Sequence, residues 1–532
     1  MRPTVLLIVL MALVTLSANG QDLKKVVDIV VGIEESLKKR IEDEGSLRKG
    51  EIISLKKDIQ DIRQSISLVS MSGARTPQGD ADPGIDELAH RLENLEKKVQ
   101  QLSDQPQTAA LTESLSSSVA ELKKFVEQNK VASPTYTVGG QIRYRTEADA
   151  KGFAPEAKPV WFSLLRSCLN LTLKPAQDVS ALVQVQDARV FGSGSSQLAR
   201  GTLDGAAKAL DFHQAYFVVT NLFTFPLNVK VGRQELVYGN ERFIGSAAWT
   251  PIGRTFDAAV LSFVPDGWSV DLITSKLIGS QTTEVSENFR GAYASFRPIT
   301  GHVWDGFVLL DDNTAEIPKG VDAGASKLDR RTLGAYLRGL LDPFEYEFEF
   351  ASQSGALALN DSAARATIRA SFLSGSLGCV LETSSKLKTS LTFTRISGDD
   401  TPQDGEATAF NLLFVTAHKF YGYMDYFPTL LASYGLEQLR LTVSMSLTNA
   451  LGVSLDVHNF NLNKGMNVTD GQGGTSVQRS LGQEVDATLN LKYNPNLTIS
   501  AGASAFVPDV VMRPVRGNAT AFWSYIMALV SF

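Results

Sequence analysis

Three arginines stand where a chain could meet a charged partner. Arg143 and Arg145 are two residues apart, so an extended strand puts both on one face, and Arg166 lies on the polar side of the next alternating run. A guanidinium pairs a carboxylate through two parallel hydrogen bonds. Cations on one face in this way can meet carboxylates or other anions. The same residues also suit a plainer role, a ladder of ion pairs that solvates a polar interior. A second cluster is acidic: Asp399, Asp400, Asp404 and Glu406. Calcium takes clustered carboxylates, but this spacing is not that of an EF-hand, and a solvated surface loop is the simpler reading. No metal is assigned.

Other chemistries are less supported. The five histidines, His90, His213, His302, His418 and His458, are scattered, with no two at metal-ligand spacing. Two cysteines, Cys168 and Cys379, exclude a cysteine-rich zinc fold and a disulfide scaffold. There is no Gly-x-Ser-x-Gly elbow, and His213 on a strand reads as a structural hydrogen-bonding group. The expectation is a protein that is not an enzyme and carries no cofactor. A pI near 5.6 argues against a nucleic-acid partner.

The elements that must position these residues change along the chain. It has 532 residues, 43% of them hydrophobic, and a net charge of −6. Beyond the N-terminus there is no run of about 18 apolar residues, so no transmembrane helix is expected; a β-barrel crosses with short alternating strands instead. A mean hydropathy of −0.03 fits a barrel. Arg2, the apolar run Val5 to Leu16 and Ala18-Asn19-Gly20 read as an export signal over residues 1–20, cleaved before Gln21.

Residues 21–132 read as helical. Leu23, Val26, Val30, Ile33 and Leu37 repeat at heptad spacing, the seam recovers from Ile52 to Val69, and a third run goes from Ile85 to Leu102. Pro77, Pro83 and Pro106 break the helices. The apolar stripes are buried either by self-association in a coiled coil or by folding back as a hairpin. This region is expected in the periplasm.

Ser133-Pro134 closes the helical part, and from Tyr136 the period becomes two. In Trp161 to Lys174, Arg166, Cys168, Asn170, Thr172 and Lys174 point one way, and Leu165, Leu169, Leu171 and Leu173 the other. Turn sequences such as Pro265-Asp266-Gly267, Asp342-Pro343 and Asn494-Pro495-Asn496 alternate with longer polar stretches. Eight turns and nine loops make 17 connections and thus about 18 strands over residues 133–532. An even strand number, with both ends on the turn side, is what an outer-membrane barrel requires. Phe522, Trp523 and Tyr525 are expected near a membrane interface. The terminal Phe532 is like the signal read by barrel assembly machinery. Loops Gly192 to Asp211 and Asp312 to Arg330 are candidates for folding inward as a constriction.

Several stretches resemble the alginate-export family of outer-membrane barrels. They are Leu182-Val-Gln-Val-Gln-Asp-Ala-Arg189, Phe212-His-Gln-Ala-Tyr216, the run Val231 to Arg242 with Ile244-Gly245, Trp249 and Gly253 to Ala258, then Ser397 to Gly405, His418 to Asp425, Glu484-Val-Asp486 and Tyr493 to Asn496. The resemblance covers the barrel from about Tyr136 to Phe532 and leaves the helices outside. It implies a channel of about eighteen strands in the outer membrane, whose best-known relatives export an anionic polysaccharide through a pore lined with basic residues. The runner-up is a general or small-anion porin; an outer-membrane hydrolase and an envelope tether stand behind it. Within the resembling stretches, Arg189, Arg233, Arg242 and Arg254 join the pore candidates, beside the acids Asp187, Glu235, Glu241 and Asp257. The barrel segment keeps a net negative charge, so a cationic pore has to be local.

Overall fold

The computed structural model describes residues 135–532 apart from 155–157, 192–209, 280–285, 315–320, 323–324, 360–364, 382–384, 403 and 470–472. The expected export signal and heptad helices lie outside the described residues.

Alternating side chains and turn residues give a single closed antiparallel sheet. Its first half is β1 (Thr135–Ala150), β2 (Val160–Lys174), β3 (Val179–Val190), β4 (Asp211–Val219), β5 (Leu227–Gln234), β6 (Phe256–Phe263), β7 (Trp268–Gly279), β8 (Ser286–Phe296) and β9 (Val303–Asn313). The second half is β10 (Ala325–Leu341), β11 (Phe344–Leu359), β12 (Arg365–Leu381), β13 (Leu387–Ile396), β15 (Leu436–Ser446), β16 (Leu451–Thr469), β17 (Thr475–Lys492), β18 (Leu497–Pro508) and β19 (Ala521–Ser531). The two-residue β14 (Glu406–Ala407) lies in the loop after β13 and pairs in parallel with β12, so it adds nothing to the wall. Eighteen wall strands remain among the described residues, and the ring closes where β1 pairs with β19. At the seam the Gly140 N–H donates to the Phe532 carbonyl at 2.8 Å, and the Phe532 N–H returns to Gly140 at 3.1 Å.

The short and long connections fall where the turn residues put them, with short ones at Asp342-Pro343 and between Ser446 and Leu451. In β2, Leu164, Arg166 and Cys168 are buried and Leu169, Leu171 and Leu173 exposed, so one face is apolar and outward and the other is turned into the barrel. This is the alternation that a wall between lipid and a polar interior needs. The same parity identifies the inward face of every strand used below.

The interior is filled at one level by an apolar core. Phe256, Phe289, Phe307, Phe372, Phe460, Phe506 and Trp523 come from the wall. Leu236, Phe243 and Ile244 come from the β5–β6 connection, and Phe410, Leu412, Phe420, Met424 and Phe427 from the β13–β15 connection. Phe243 meets Phe372 edge-on at 5.0 Å, and Phe427 lies 4.7 Å from Phe460. Burying each such ring contributes roughly 1.5–3 kcal/mol, which holds long loops inside a barrel. The described residues thus place loops 235–255 and 397–435 inside; most of Gly192 to Asp211 lies outside the described residues, and of Asp312 to Arg330 the described Asp322, Leu328 and Arg330 are buried.

The interface expectation for the last strand is also corrected. Phe522 is exposed on the outward face, but Trp523 is buried and donates its indole N–H to Glu147 Oε2 at 2.8 Å. Tyr525 shares the parity of Trp523, and the two rings meet tilted, 5.1 Å between centres. Two residues of separation on a strand put both rings on the lumen side.

Candidate functional site

The site forms where the loop 235–255 crosses the lumen. Its backbone turns sharply at Gly239, with φ +57, and at Gly253, with φ +81, conformations that glycine adopts without penalty. Near its start, the Tyr238 hydroxyl donates to Asp271 at 2.7 Å, and the Asn240 amide donates to Glu347 at 2.7 Å. Near its far end, three arginines of the opposite wall reach its carbonyls. Arg143 donates to the carbonyls of Ala248 at 2.6 Å and Thr250 at 2.7 Å, and Arg145 to that of Trp249 at 2.9 Å. Arg166 reaches Ala248 at 3.5 Å, and Gln186 donates to Ile252 at 2.9 Å.

The two anchoring walls are chemically opposite. In a closed ring of eighteen strands, β1 and β2 face β10 and β11 across the lumen. The loop turns hydroxyl and amide donors to carboxylates on β7 and β11, and carbonyl oxygens to guanidinium groups on β1 and β2. Each end thus meets the charge that its own dipoles prefer. Arg145 is also tied to Glu147 at 2.9 Å, with both side chains 3% exposed, and its guanidinium lies 3.8 Å above the Trp249 ring.

The second inward loop packs against the first. Ile244 and Phe414 form a parallel bridge, and the Arg254 guanidinium donates to the carbonyls of Gly245, Phe414 and Val415, so one side chain staples both loops. Burial lowers the pKa of Arg254. Arg242 pairs with Glu349 at 3.2 Å and lies 4.0 Å from the Phe420 ring centre. Burial pushes the nearby Tyr421 hydroxyl up to about 12. His418 stacks on Trp249 at 4.1 Å and on Tyr423 at 4.8 Å, and its Nδ1 meets Asp425 at 3.0 Å.

The tip of this loop is clasped by the wall. The Met424 N–H donates to Glu484 at 2.8 Å, the Tyr423 N–H to Asp486 at 3.3 Å, and Gln438 donates to the Phe420 carbonyl at 2.8 Å. Arg330 pairs with Asp311 at 3.1 Å and with Asp322, and Asp322 in turn accepts from Asn411 at 2.8 Å.

Of the seven candidate pore arginines, Arg143, Arg145 and Arg166 come together at the loop, and Arg242 and Arg254 hold the loops themselves. Two are placed elsewhere. Arg189 pairs with Asp187, and both share the parity of the outward Val183 and Val185, while Gln184 and Gln186 point inward. Arg233 pairs bidentately with Asp257 at 2.8 and 2.9 Å, on the face opposite the buried Gln234 and Phe256. Both arginines are one residue out of phase with the lumen face. The acidic cluster also separates. Asp399 accepts from the Thr401 and Thr408 N–H groups, Asp404 from Glu406 N–H and the Thr401 hydroxyl, and Asp400 pairs with Lys464 at 3.1 Å. Among the described residues no group of three or more metal-ligating side chains converges. His213 is buried against Glu235 at 3.1 Å, a supporting contact.

Sequence reasoning missed Tyr238, Asn240, Gln186 and Gln438 as loop anchors. Gln184 and Gln186 did carry a signal, because two inward amides in an otherwise apolar run need partners inside the barrel.

A closed barrel with an apolar outer belt and loops packed into a charged interior is an outer-membrane channel of the porin type. The family described as alginate export matches residues 135–521, and the chain belongs to it. No curated protein matches the chain. Among solved structures it is similar to Pseudomonas aeruginosa OpdK with vanillate, at TM-score 0.46 and 11% identity over 74% of this chain and 98% of that one. It is also similar to a BenF-like porin from Pseudomonas fluorescens Pf-5, at TM-score 0.48 and 10% identity over 76% of this chain and 99% of that one.

Proposed function

We propose that this channel passes a carboxylate-bearing polysaccharide along the arginine side of its lumen, with Arg143, Arg145 and Arg166 as the contacting cations. The observation that carries this reading is their common target: three guanidinium groups on neighbouring strands all donate to carbonyl oxygens at 248–250. A guanidinium that donates to a neutral carbonyl donates to a carboxylate more strongly, because the bond is then assisted by charge on both sides. A uronate passing this wall competes with the loop for the same donors. Exchange between the two frees the loop and hands the chain from one arginine to the next without a deep trap.

The reading includes no catalytic step. It places the heptad helices in the periplasm, as a self-associating extension, and gives the terminal Phe532 to the barrel assembly machinery. The test is ion selectivity of the purified full chain in a planar bilayer, read as the reversal potential in a salt gradient. Anion preference, together with block of the current by added polyuronate, supports the reading. Current without preference or block overturns it.

A further inference from the structure

The sequence put Arg233 among the pore cations, and the structure turns it outward with its acid partner. It is not isolated there. Arg290, Arg331, Arg369 and Arg395 also have outward parity on β8, β10, β12 and β13, towards the ends joined by the long loops. We propose that this outward rim over β8 to β15 binds the phosphorylated headgroups of glycolipids in the outer leaflet.

The placement of the charges comes first. Along each of these strands the outward face turns apolar within a few residues towards the turn side. Leu333 follows Arg331, Leu373 follows Arg369, and Phe393 precedes Arg395, all exposed. A lipid-facing charge is costly at the bilayer midplane and nearly free at the interface, so these arginines mark the headgroup level. They also form an ordered row. Arg290, Leu310, Arg331, Ser354 and Arg369 are successive cross-strand partners from β8 to β12, which repeats the cation at every second strand, about 10 Å apart.

Their pairing leaves donors in reserve. Arg290 meets Asp312 at 2.9 Å and Arg369 meets Glu406 at 3.1 Å, but Arg331 reaches Asp329 and Arg395 reaches Glu437 only at 3.7 Å. The four arginine side chains are 53–68% exposed. A guanidinium carries five N–H donors in a planar fork, and one loose carboxylate uses few of them; a phosphate monoester offers a dianion that fits the remainder. The balance of charge has the matching sign. Arg290, Lys327, Arg331, Arg365, Arg369 and Arg395 stand on this arc against the four acids just named and Asp404 beside Glu406, an excess of cations in a chain whose net charge is −6.

The inference rests on the barrel's place in an outer membrane and is independent of what the lumen carries. The test titrates the full chain in detergent with bisphosphorylated lipid A and with its dephosphorylated form. Saturable binding of the phosphorylated lipid alone is expected. The variant R290Q/R331Q/R369Q/R395Q should lose about tenfold in affinity or more. Asp312→Asn with Asp329→Asn should tighten binding about threefold, since each acid competes for the same donors. Single-channel current should be unchanged in both variants, which reports an intact barrel and keeps this test separate from that of the lumen reading. Equal affinity for the dephosphorylated lipid, an unchanged affinity in the arginine variant, or weaker binding in the acid variant would each overturn the proposal.

Discussion

Arg145 donates to the carbonyl of Trp249 at 2.9 Å and lies 3.8 Å above its ring, so one wall side chain holds the crossing loop by both backbone and side chain. Removing it takes this cation from the buried Glu147, which keeps the Trp523 indole N–H, and losing the cation of a buried ion pair is expensive. Arg145→Ala should lower unfolding stability by about 3 kcal/mol, measured by denaturant unfolding in detergent. A loss below about 1 kcal/mol would mean that the loop is held elsewhere.

Arg242 and Glu349 form a buried pair, with side chains 2% and 3% exposed. Arg242→Met should destabilise by about 3–5 kcal/mol, because it strands the carboxylate. The double variant Arg242→Met with Glu349→Leu should recover most of that loss, since apolar residues of similar size remove both desolvation costs. The same unfolding midpoints report both effects. Additive losses in the double variant would show that the two side chains do not act as a pair.

Gly422 has φ +84, and a Cβ there would come within 2.6 Å of both carboxylate oxygens of Glu484. Gly422→Ala therefore disturbs the clasp on the loop tip and adds backbone strain of about 1 kcal/mol. The loop 397–435 should become a site of rapid cleavage in limited proteolysis while the barrel stays intact. Cleavage at the rate of the unaltered protein would show that the clasp does not hold the loop.

Arg233 and Asp257 give the opposite expectation. Their side chains are 41% and 57% exposed on the outer face. Arg233→Ala should cost no more than about 1 kcal/mol and leave the reversal potential unchanged. A shifted reversal potential would put Arg233 back in the conduction path.

The wall was legible in the sequence because its signal is local. Period-two alternation in 161–174 and the turn residues at 265–267, 342–343 and 494–496 fixed the strand count without any long-range information. Arg143, Arg145 and Arg166 were legible for the same reason, since parity alone puts them inside. Arg189 and Arg233 were misplaced because they were chosen from the resembling stretches and not from their phase. Their neighbours Gln186 and Gln234 are the inward members of those stretches. The two inward loops were not legible at all. Loops 235–255 and 397–435 carry many apolar residues, Phe410 and Leu412 to Val415 among them, but the sequence does not say what covers these. Their apolar residues, Phe243, Ile244, Phe420 and Met424, gain meaning only from the phenylalanines that face them from distant strands. The resembling stretches around Arg242, Arg254, His418 and Glu484 turn out to mark the contacts that pack these loops.

The central claim is that Arg143, Arg145 and Arg166 hold the crossing loop and meet the passing chain with the same donors. The most direct measurement is single-channel recording of the full chain against R143Q/R145Q/R166Q, with polyuronate titrated on one side. The variant should show a larger and noisier open current, from the released loop, and a loss of polymer block of about tenfold or more. Unchanged conductance and unchanged block in the triple variant would contradict the account and leave these arginines as interior ion pairs alone.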